Sequence, residues 1–89
     1  MSKANVVIYT RPGCQLCEHA KAAMSAAKCA SDYSLREVNI ETEAGLLERY
    51  KNDIPVITIN GVEAFRHRVT AKEFKARILR SYDPLSHTK

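Results

Sequence analysis

No stretch of this 89-residue chain is apolar over the length that a membrane crossing requires. The N-terminus also lacks a secretory signal pattern, because Lys3 is followed only by the short apolar run 6–8 before polar residues begin. Cysteine is scarce, and three thiols, an odd number, argue against a secreted scaffold held together by disulfides and suit a reducing compartment. These absences predict a cytoplasmic protein. The length of the chain predicts one small domain over residues 1–89, with a loose tail from about residue 83.

Acidic residues are the minority, but the imbalance is modest. The formal net charge is +4, and much of the excess lies between residues 66 and 80. A lysine- and arginine-rich helix face of this kind is usually only solvated. We therefore expect neither nucleic acid nor a membrane as a partner.

Two of the cysteines, Cys14 and Cys17, stand three positions apart between an apolar run and an amphipathic segment. Within a helix their β-carbons would lie about 5–6 Å apart, whereas a disulfide needs about 3.5–4.5 Å. At a helix start the first cysteine can occupy the non-helical N-cap, where its thiolate faces unpaired backbone N–H groups. We predict that Cys14 is the nucleophile and that Cys17, one turn inside, is the resolving thiol. Arg11 adds a positive charge that either favours the thiolate or holds an anionic substrate.

Two other interpretations of the pair stay open at this point. The cysteines are then either inert core residues or ligands of a metal or an iron–sulfur cluster in a non-catalytic binding module. Two thiols are only half of a tetrahedral ligand set, so the second interpretation requires dimerisation or an added ligand such as glutathione. No histidine stands at ligand spacing from the pair, and we assign no metal ligand.

The remaining patterns alternate between strand and helix. The turn Asn60-Gly61 predicts a type I′ hairpin, and Thr70 with Glu73 predicts a capping box at the last helix. Apolar stripes predict the buried faces of the first helix (Leu16, Ala20, Ala23, Met24 and Ala27) and of the last helix (Phe74, Ile78, Leu79 and Tyr82). The predicted elements are a strand at 5–10, a helix from 16, a strand at 35–40, a short helix from 42, a hairpin of 55–59 and 62–68, and a helix from 70 that stops at 83–84.

This order, β-α-β-α-β-β-α, predicts an α/β fold with a mixed four-stranded sheet covered by helices. The cysteine pair then follows the first strand. Open α/β sheets carry their sites at the carboxyl ends of strands.

The segment Tyr-Thr-Arg-Pro-Gly-Cys-Gln-Leu-Cys at 9–17, the triplet Ile54-Pro55-Val56 and the element order together resemble a short glutaredoxin-like protein of the thioredoxin superfamily. The resemblance covers roughly residues 4–81. It implies a thioredoxin-like fold, thiol–disulfide oxidoreductase activity and no built-in cofactor. It also implies a cis Ile54–Pro55 bond, which would present the backbone of Ile54 to an extended substrate.

The chain departs from that family at two places. Gln15-Leu16 replaces the Pro-Tyr that glutaredoxins carry between the cysteines, and the lack of tryptophan excludes the thioredoxin active-site signature. The Gly-Gly turn and acidic residue that accompany glutathione binding are replaced by a segment with Arg66 and His67, which either contacts substrate or is a solvated strand end. We expect a monomer that acts on a disulfide-containing protein or a small thiol substrate, with glutathione or a reductase as the electron donor.

Overall fold

The computed structural model of the chain describes residues 3–42 and 44–82. The element order is the predicted one, with two additional short 3₁₀ turns, Ala30–Asp32 and Ile40–Thr42. The predicted tail and the predicted helix stop at 83–84 lie outside the described residues. The strands are β1 (Ala4–Thr10), β2 (Tyr33–Asn39), β3 (Val56–Ile59) and β4 (Val62–Arg66), and the helices are α1 (Gln15–Ala26), α2 (Ala44–Tyr50) and α3 (Ala71–Tyr82).

The four strands form one mixed sheet in the order β2-β1-β3-β4, which confirms the predicted sheet. Strand β1 is central: it runs parallel to β2, with Val6 opposite Leu35, and antiparallel to β3, with Val6 opposite Ile59. Strands β3 and β4 pair in an antiparallel hairpin. The carboxyl end of β1, which leads into the cysteine segment, therefore lies in the middle of the sheet.

The hairpin turn has the predicted type I′ character, because Asn60 and Gly61 both have positive φ, at 53° and 85°. Asn60 also extends the pairing of β3 with β1. Its backbone N–H donates to the carbonyl of Asn5 at 2.7 Å, and its side-chain oxygen accepts from the Asn5 N–H at 2.8 Å. The hairpin strands are shorter than predicted, since β3 begins one residue after Pro55 and β4 ends at Arg66.

The apolar core lies on both faces of the sheet, because successive residues of β1 point to opposite sides. Helices α1 and α3 cover one face, where the buried side chains include Val6, Ile8, Ala20, Met24, Phe74 and Ile78. The shorter α2 covers the other face near Ile40, Tyr50 and Val56. There the rings of Tyr9 and Tyr50 stack with centroids 4.8 Å apart. Among residues 3–42 and 44–82, no helix combines the length and apolarity needed to cross a membrane.

Two residues of the predicted apolar stripes are not in the core. Leu16 is 37% exposed and Leu79 is 48% exposed. On α1 the buried positions are Cys17, Ala20 and Met24, so the cysteine, rather than the leucine before it, faces the sheet. On α3 the buried pair is Phe74 and Ile78, and Leu79 is displaced from that line by about 100°. The predicted place of Tyr82 in the stripe lies outside the described side chains.

The third cysteine, Cys29, follows α1 and is buried within the main core. Burial raises the pKa of its thiol, with a smaller contribution from the charge of Asp32. Cys29 therefore packs as a small apolar side chain.

The start of α3 has the predicted capping box. The Glu73 N–H donates to Thr70 Oγ1 at 3.1 Å, and the Thr70 N–H donates to Glu73 Oε1 at 3.2 Å. We expect Thr70→Ala to lower the free energy of unfolding by about 1 kcal/mol, because it leaves a helix-terminal N–H without its side-chain acceptor. Urea denaturation of T70A, E73A and the double variant measures the effect. If the box is reciprocal, the double variant loses less than the sum of the single losses, and strict additivity would contradict it.

Candidate active site

The site begins where β1 ends and α1 starts. The loop of Arg11, Pro12 and Gly13 joins them, and Gly13 has φ +79°, a conformation that glycine adopts without strain. Cys14 is the N-cap of α1, with extended backbone angles (φ −87°, ψ 107°). Its sulfur accepts a hydrogen bond from the Cys17 N–H at 3.1 Å. This is the arrangement expected from the sequence, with the first sulfur facing a helix-terminal donor and the positive end of the helix dipole.

Cys14 and Cys17 have contrasting environments. Cys14 is partly exposed, whereas Cys17 is 1% exposed, and both are free thiols. Burial, together with the interaction with Cys14, raises the pKa of Cys17 to about 12, although a backbone hydrogen bond from Arg11 acts in the opposite direction. Cys17 thus retains its proton while the accessible sulfur of Cys14 faces a backbone donor. The pair is chemically asymmetric.

Arg11 has a partner that the sequence analysis did not anticipate. Its guanidinium contacts one carboxylate oxygen of Glu41, at 3.0 Å from Nη2 and 3.2 Å from Nε. Glu41 lies in the 3₁₀ turn that follows β2, thirty residues away in sequence. The positive charge predicted to face Cys14 is therefore shared with a carboxylate.

Ile54 and Pro55 immediately precede β3, and the peptide bond between them is cis, as the resemblance predicted. Pro55 is buried and Ile54 is partly buried. The carbonyl of Pro55 accepts a hydrogen bond from the His67 N–H at 2.8 Å. This bond joins the segment before β3 to the end of β4, so the structure brings two of the sequence-predicted segments together.

Arg66 and His67 converge on Asp53, which the sequence analysis did not single out. Arg66 lies 2.6 Å from Glu63 and 3.4 Å from Asp53, and His67 Nε2 lies 3.6 Å from the same Asp53 oxygen. His67 has φ +72°, and the Arg68 N–H donates to the Arg66 carbonyl across it at 2.8 Å. The tight turn at His67 thus redirects the chain from β4 towards α3. The side chain of Arg66 is engaged by two carboxylates.

A groove of about 230 Å³ runs between α1 and the segment that follows β4. Leu16 and His19 line it from α1, while His67 and Arg68 line it from the opposite side. Leu16, one of the two residues between the cysteines, is therefore exposed because it faces this groove rather than the core. The lining also includes one carboxylate, Glu73, which is engaged in the capping box of α3.

The charge cluster on the other side of α1 was also missed from the sequence. Lys21 contacts Glu18 at 3.1 Å and Glu37 at 2.9 Å, and Glu37 also accepts a hydrogen bond from Thr10. The pair Glu18–Lys21 has the i,i+3 spacing of a helical ion pair and was accessible from local sequence. Glu37 lies on β2, and only the parallel pairing with β1 brings it to this place.

The described part of the chain contains no group of three or more histidine, cysteine, aspartate or glutamate side chains arranged to hold a metal ion. Within residues 3–42 and 44–82, the two thiols of the pair thus lack further protein ligands. The metal-binding interpretation would require ligands from outside this part of the chain.

Comparison with known proteins identifies the family to which the chain belongs. The model of the glutaredoxin-like domain (DUF836) matches residues 5–79. This chain belongs to that family. The glutaredoxin-like domain is also 32% identical over 71 residues to the glutaredoxin-like protein YDR286C homolog of Dictyostelium discoideum, a match that covers 73% of this chain and 66% of the relative. Family membership supports a redox-type function in general terms.

Solved structures agree on the fold of the glutaredoxin-like domain. Protein XcR50 from X. campestris superposes with a TM-score of 0.73 at 23% identity, over 84% of this chain and 96% of the other. A thioredoxin-2 of the malaria parasite superposes with a TM-score of 0.68 at 20% identity, over 88% and 82% of the two chains. The mixed sheet and its helices therefore have the thioredoxin fold.

Proposed function

We propose that this glutaredoxin-like domain is a thiol–disulfide oxidoreductase in which Cys14 attacks a disulfide and Cys17 resolves the product. The observation that supports it most directly is the asymmetry of the pair. An accessible sulfur at a helix N-cap, with a backbone donor 3.1 Å away, suits a nucleophile. A buried sulfur that holds its proton suits a resolving thiol, because it does not compete for the first attack.

The first step exchanges one disulfide for another. The Cys14 thiolate attacks one sulfur of the substrate, a bond forms between Cys14 and that sulfur, and the second substrate sulfur leaves as a thiolate. The Cys17 N–H stabilises the attacking sulfur before the reaction, at the positive end of α1.

The second step closes the protein disulfide. Cys17 loses its proton and attacks the Cys14 sulfur, and the bond between Cys14 and the substrate breaks with its electron pair on the departing sulfur. The substrate gains two electrons in total, and the protein ends with a Cys14–Cys17 disulfide. Two molecules of glutathione, or the dithiol of a reductase, then reduce the Cys14–Cys17 disulfide and are themselves oxidised to a disulfide.

The groove beside Leu16 suits the substrate arm that stays attached to Cys14. His19, His67 and Arg68 give it the chemistry to attract carboxylates, as glutathione or an acidic peptide would present. Ile54 and Pro55, which are joined to His67 through the Pro55 carbonyl, would lie along an extended substrate. Arg66 contributes less directly, since its guanidinium is paired with Glu63 and Asp53.

A trapping experiment tests the proposed function. We expect Cys17→Ser, treated with glutathione disulfide, to accumulate one glutathione per chain on Cys14, because the resolving thiol is missing. The wild-type protein should pass through the same adduct and release it. Intact-protein mass spectrometry followed by peptide mapping measures both results.

Cys29→Ser is the matched control, since it also removes one buried thiol but leaves the pair intact. It should behave like the wild-type protein. If C17S forms no adduct and Cys14 is alkylated no faster than an ordinary exposed thiol, the proposal is wrong. Stoichiometric zinc or iron in anaerobically purified protein, without any adduct, would favour the metal-binding module instead.

A further inference from the structure

Lys21 lies one helical turn after the resolving cysteine and is held there by two carboxylates. Its Nζ is 3.1 Å from Glu18 and 2.9 Å from Glu37, and its side chain is 29% exposed. Residues four apart share one face of a helix, so Lys21 lies on the same side of α1 as Cys17. The ammonium group is thus held on the side of α1 that carries Cys17.

Glu37 is also held by a hydrogen bond from β1. The same Oε2 atom that contacts Lys21 accepts a hydrogen bond from Thr10 Oγ1 at 3.2 Å, and Thr10 is only 4% exposed. Thr10 is the last residue of β1, next to Arg11, whose backbone hydrogen-bonds the Cys17 sulfur. The cluster therefore joins β1, β2 and α1 directly beside the reacting pair.

A second groove, of about 330 Å³, opens over this cluster on the side of α1 away from the substrate groove. Thr10, Gly13, Glu18 and Glu37 contribute to its lining. It is large enough for several water molecules and is lined by polar groups that can bind them. A proton that is released on the sheet side of α1 therefore meets polar groups and space for water in this groove.

The charges around Cys17 act in opposite directions. Burial and Cys14 disfavour the Cys17 thiolate, while the Arg11 backbone and the Lys21 ammonium favour it. The carboxylates, Glu37 foremost, raise the pKa of Lys21 and keep it charged. The side chain of Arg11 points to Glu41 instead. Lys21 is thus a charged side chain that favours the Cys17 thiolate, although its effect is the smallest of these.

We propose that Lys21, held by Glu18 and Glu37, is a positioning residue for the resolving step: its ammonium stabilises the negative charge that develops on the Cys17 sulfur during attack on Cys14. The inference rests on the proposed function. In this step the Cys17 proton passes to solvent, the Cys14–Cys17 bond forms, and the Cys14–substrate bond breaks with its electron pair on the substrate sulfur. Lys21 itself stays charged throughout.

The two steps should depend on Lys21 to different degrees. Cys14 is accessible, and its sulfur already faces the backbone N–H of Cys17. Cys17 is buried, so a charge near it has more effect than the same charge near an exposed group. Loss of Lys21 should therefore slow resolution and leave the first attack nearly unchanged.

A chromogenic aryl disulfide separates the steps in one stopped-flow trace, because the first aryl thiolate appears on Cys14 attack and the second on resolution by Cys17. We expect Lys21→Met to slow the second phase about three- to tenfold at neutral pH and to move its pH midpoint upwards. The first phase should change by less than about twofold. Lys21→Arg should restore most of the second phase.

Lys28→Met removes the same charge from the far end of the α1 segment and should leave both phases unchanged. Equal slowing of both phases in K21M, or no change in either, would overturn the inference. A wild-type trace without any second phase would instead overturn the role of Cys17, and the proposed function with it.

Discussion

Serine in place of Cys14 abolishes the reduction of disulfides, with a loss that we expect to exceed about a thousandfold, because no other thiol can take its place as nucleophile. Cys17 is 1% exposed and Cys29 is 4% exposed, so neither can reach a disulfide in solution. Steady-state reduction of a small disulfide with glutathione as donor measures the loss. Serine is a good N-cap residue, so the helix start should survive the substitution.

Cys29→Ala is the control for that experiment. Cys29 lies beyond the opposite end of α1, a 12-residue helix about 18 Å long, and its loss should change turnover by less than about twofold. Unfolding curves of both variants separate chemistry from stability. Substantial turnover by C14S, together with inactive C17S, would reverse the roles assigned to the two cysteines.

Phe74→Ala has the largest expected effect on stability, a loss of about 3–5 kcal/mol in the free energy of unfolding. Phe74 is completely buried between α3 and the sheet, and its ring meets that of Tyr33 edge to face with centroids 5.1 Å apart. Truncation to alanine leaves a cavity that the surrounding strands cannot fill. Urea denaturation followed by circular dichroism measures the change.

Leu79→Ala is the matched comparison on the same helix. Leu79 is 48% exposed, and its truncation should cost less than about 1 kcal/mol. The predicted apolar stripe places both residues in the core, whereas in the structure only Phe74 is buried. Similar losses for F74A and L79A would contradict the described packing of α3.

Local signals were enough to predict much of the fold. The Asn60-Gly61 turn and the Thr70–Glu73 capping box are formed as predicted, because each depends on residues within a few positions of one another. The mixed four-stranded sheet followed from the element order, although the order of the strands within it was not predicted. The placement of Cys14 at a helix N-cap likewise depended only on the residues around it.

Features that depend on distant parts of the chain were harder to predict from the sequence. Leu16 was assigned to the core, but the packing of α1 on the sheet turns Cys17 inwards instead. The partners of Arg11 and Lys21, namely Glu41 and Glu37, come from β2 and the turn after it. The register between β1 and β2 decides these pairings, and no local pattern of residues specifies a register between separated strands.

The central position of β1 also bears on the order in which the sheet and the site can form. Both hydrogen-bonding neighbours of β1, β2 and β3, come later in the chain, and β3 is complete only at residue 59. Strand β2 is complete at residue 39, so one edge of β1 can pair early, whereas the other edge stays unpaired until the chain reaches residue 59. Until then the sheet against which Cys17 is buried is incomplete. The chemical difference between Cys14 and Cys17 therefore depends on strands that follow them in the sequence.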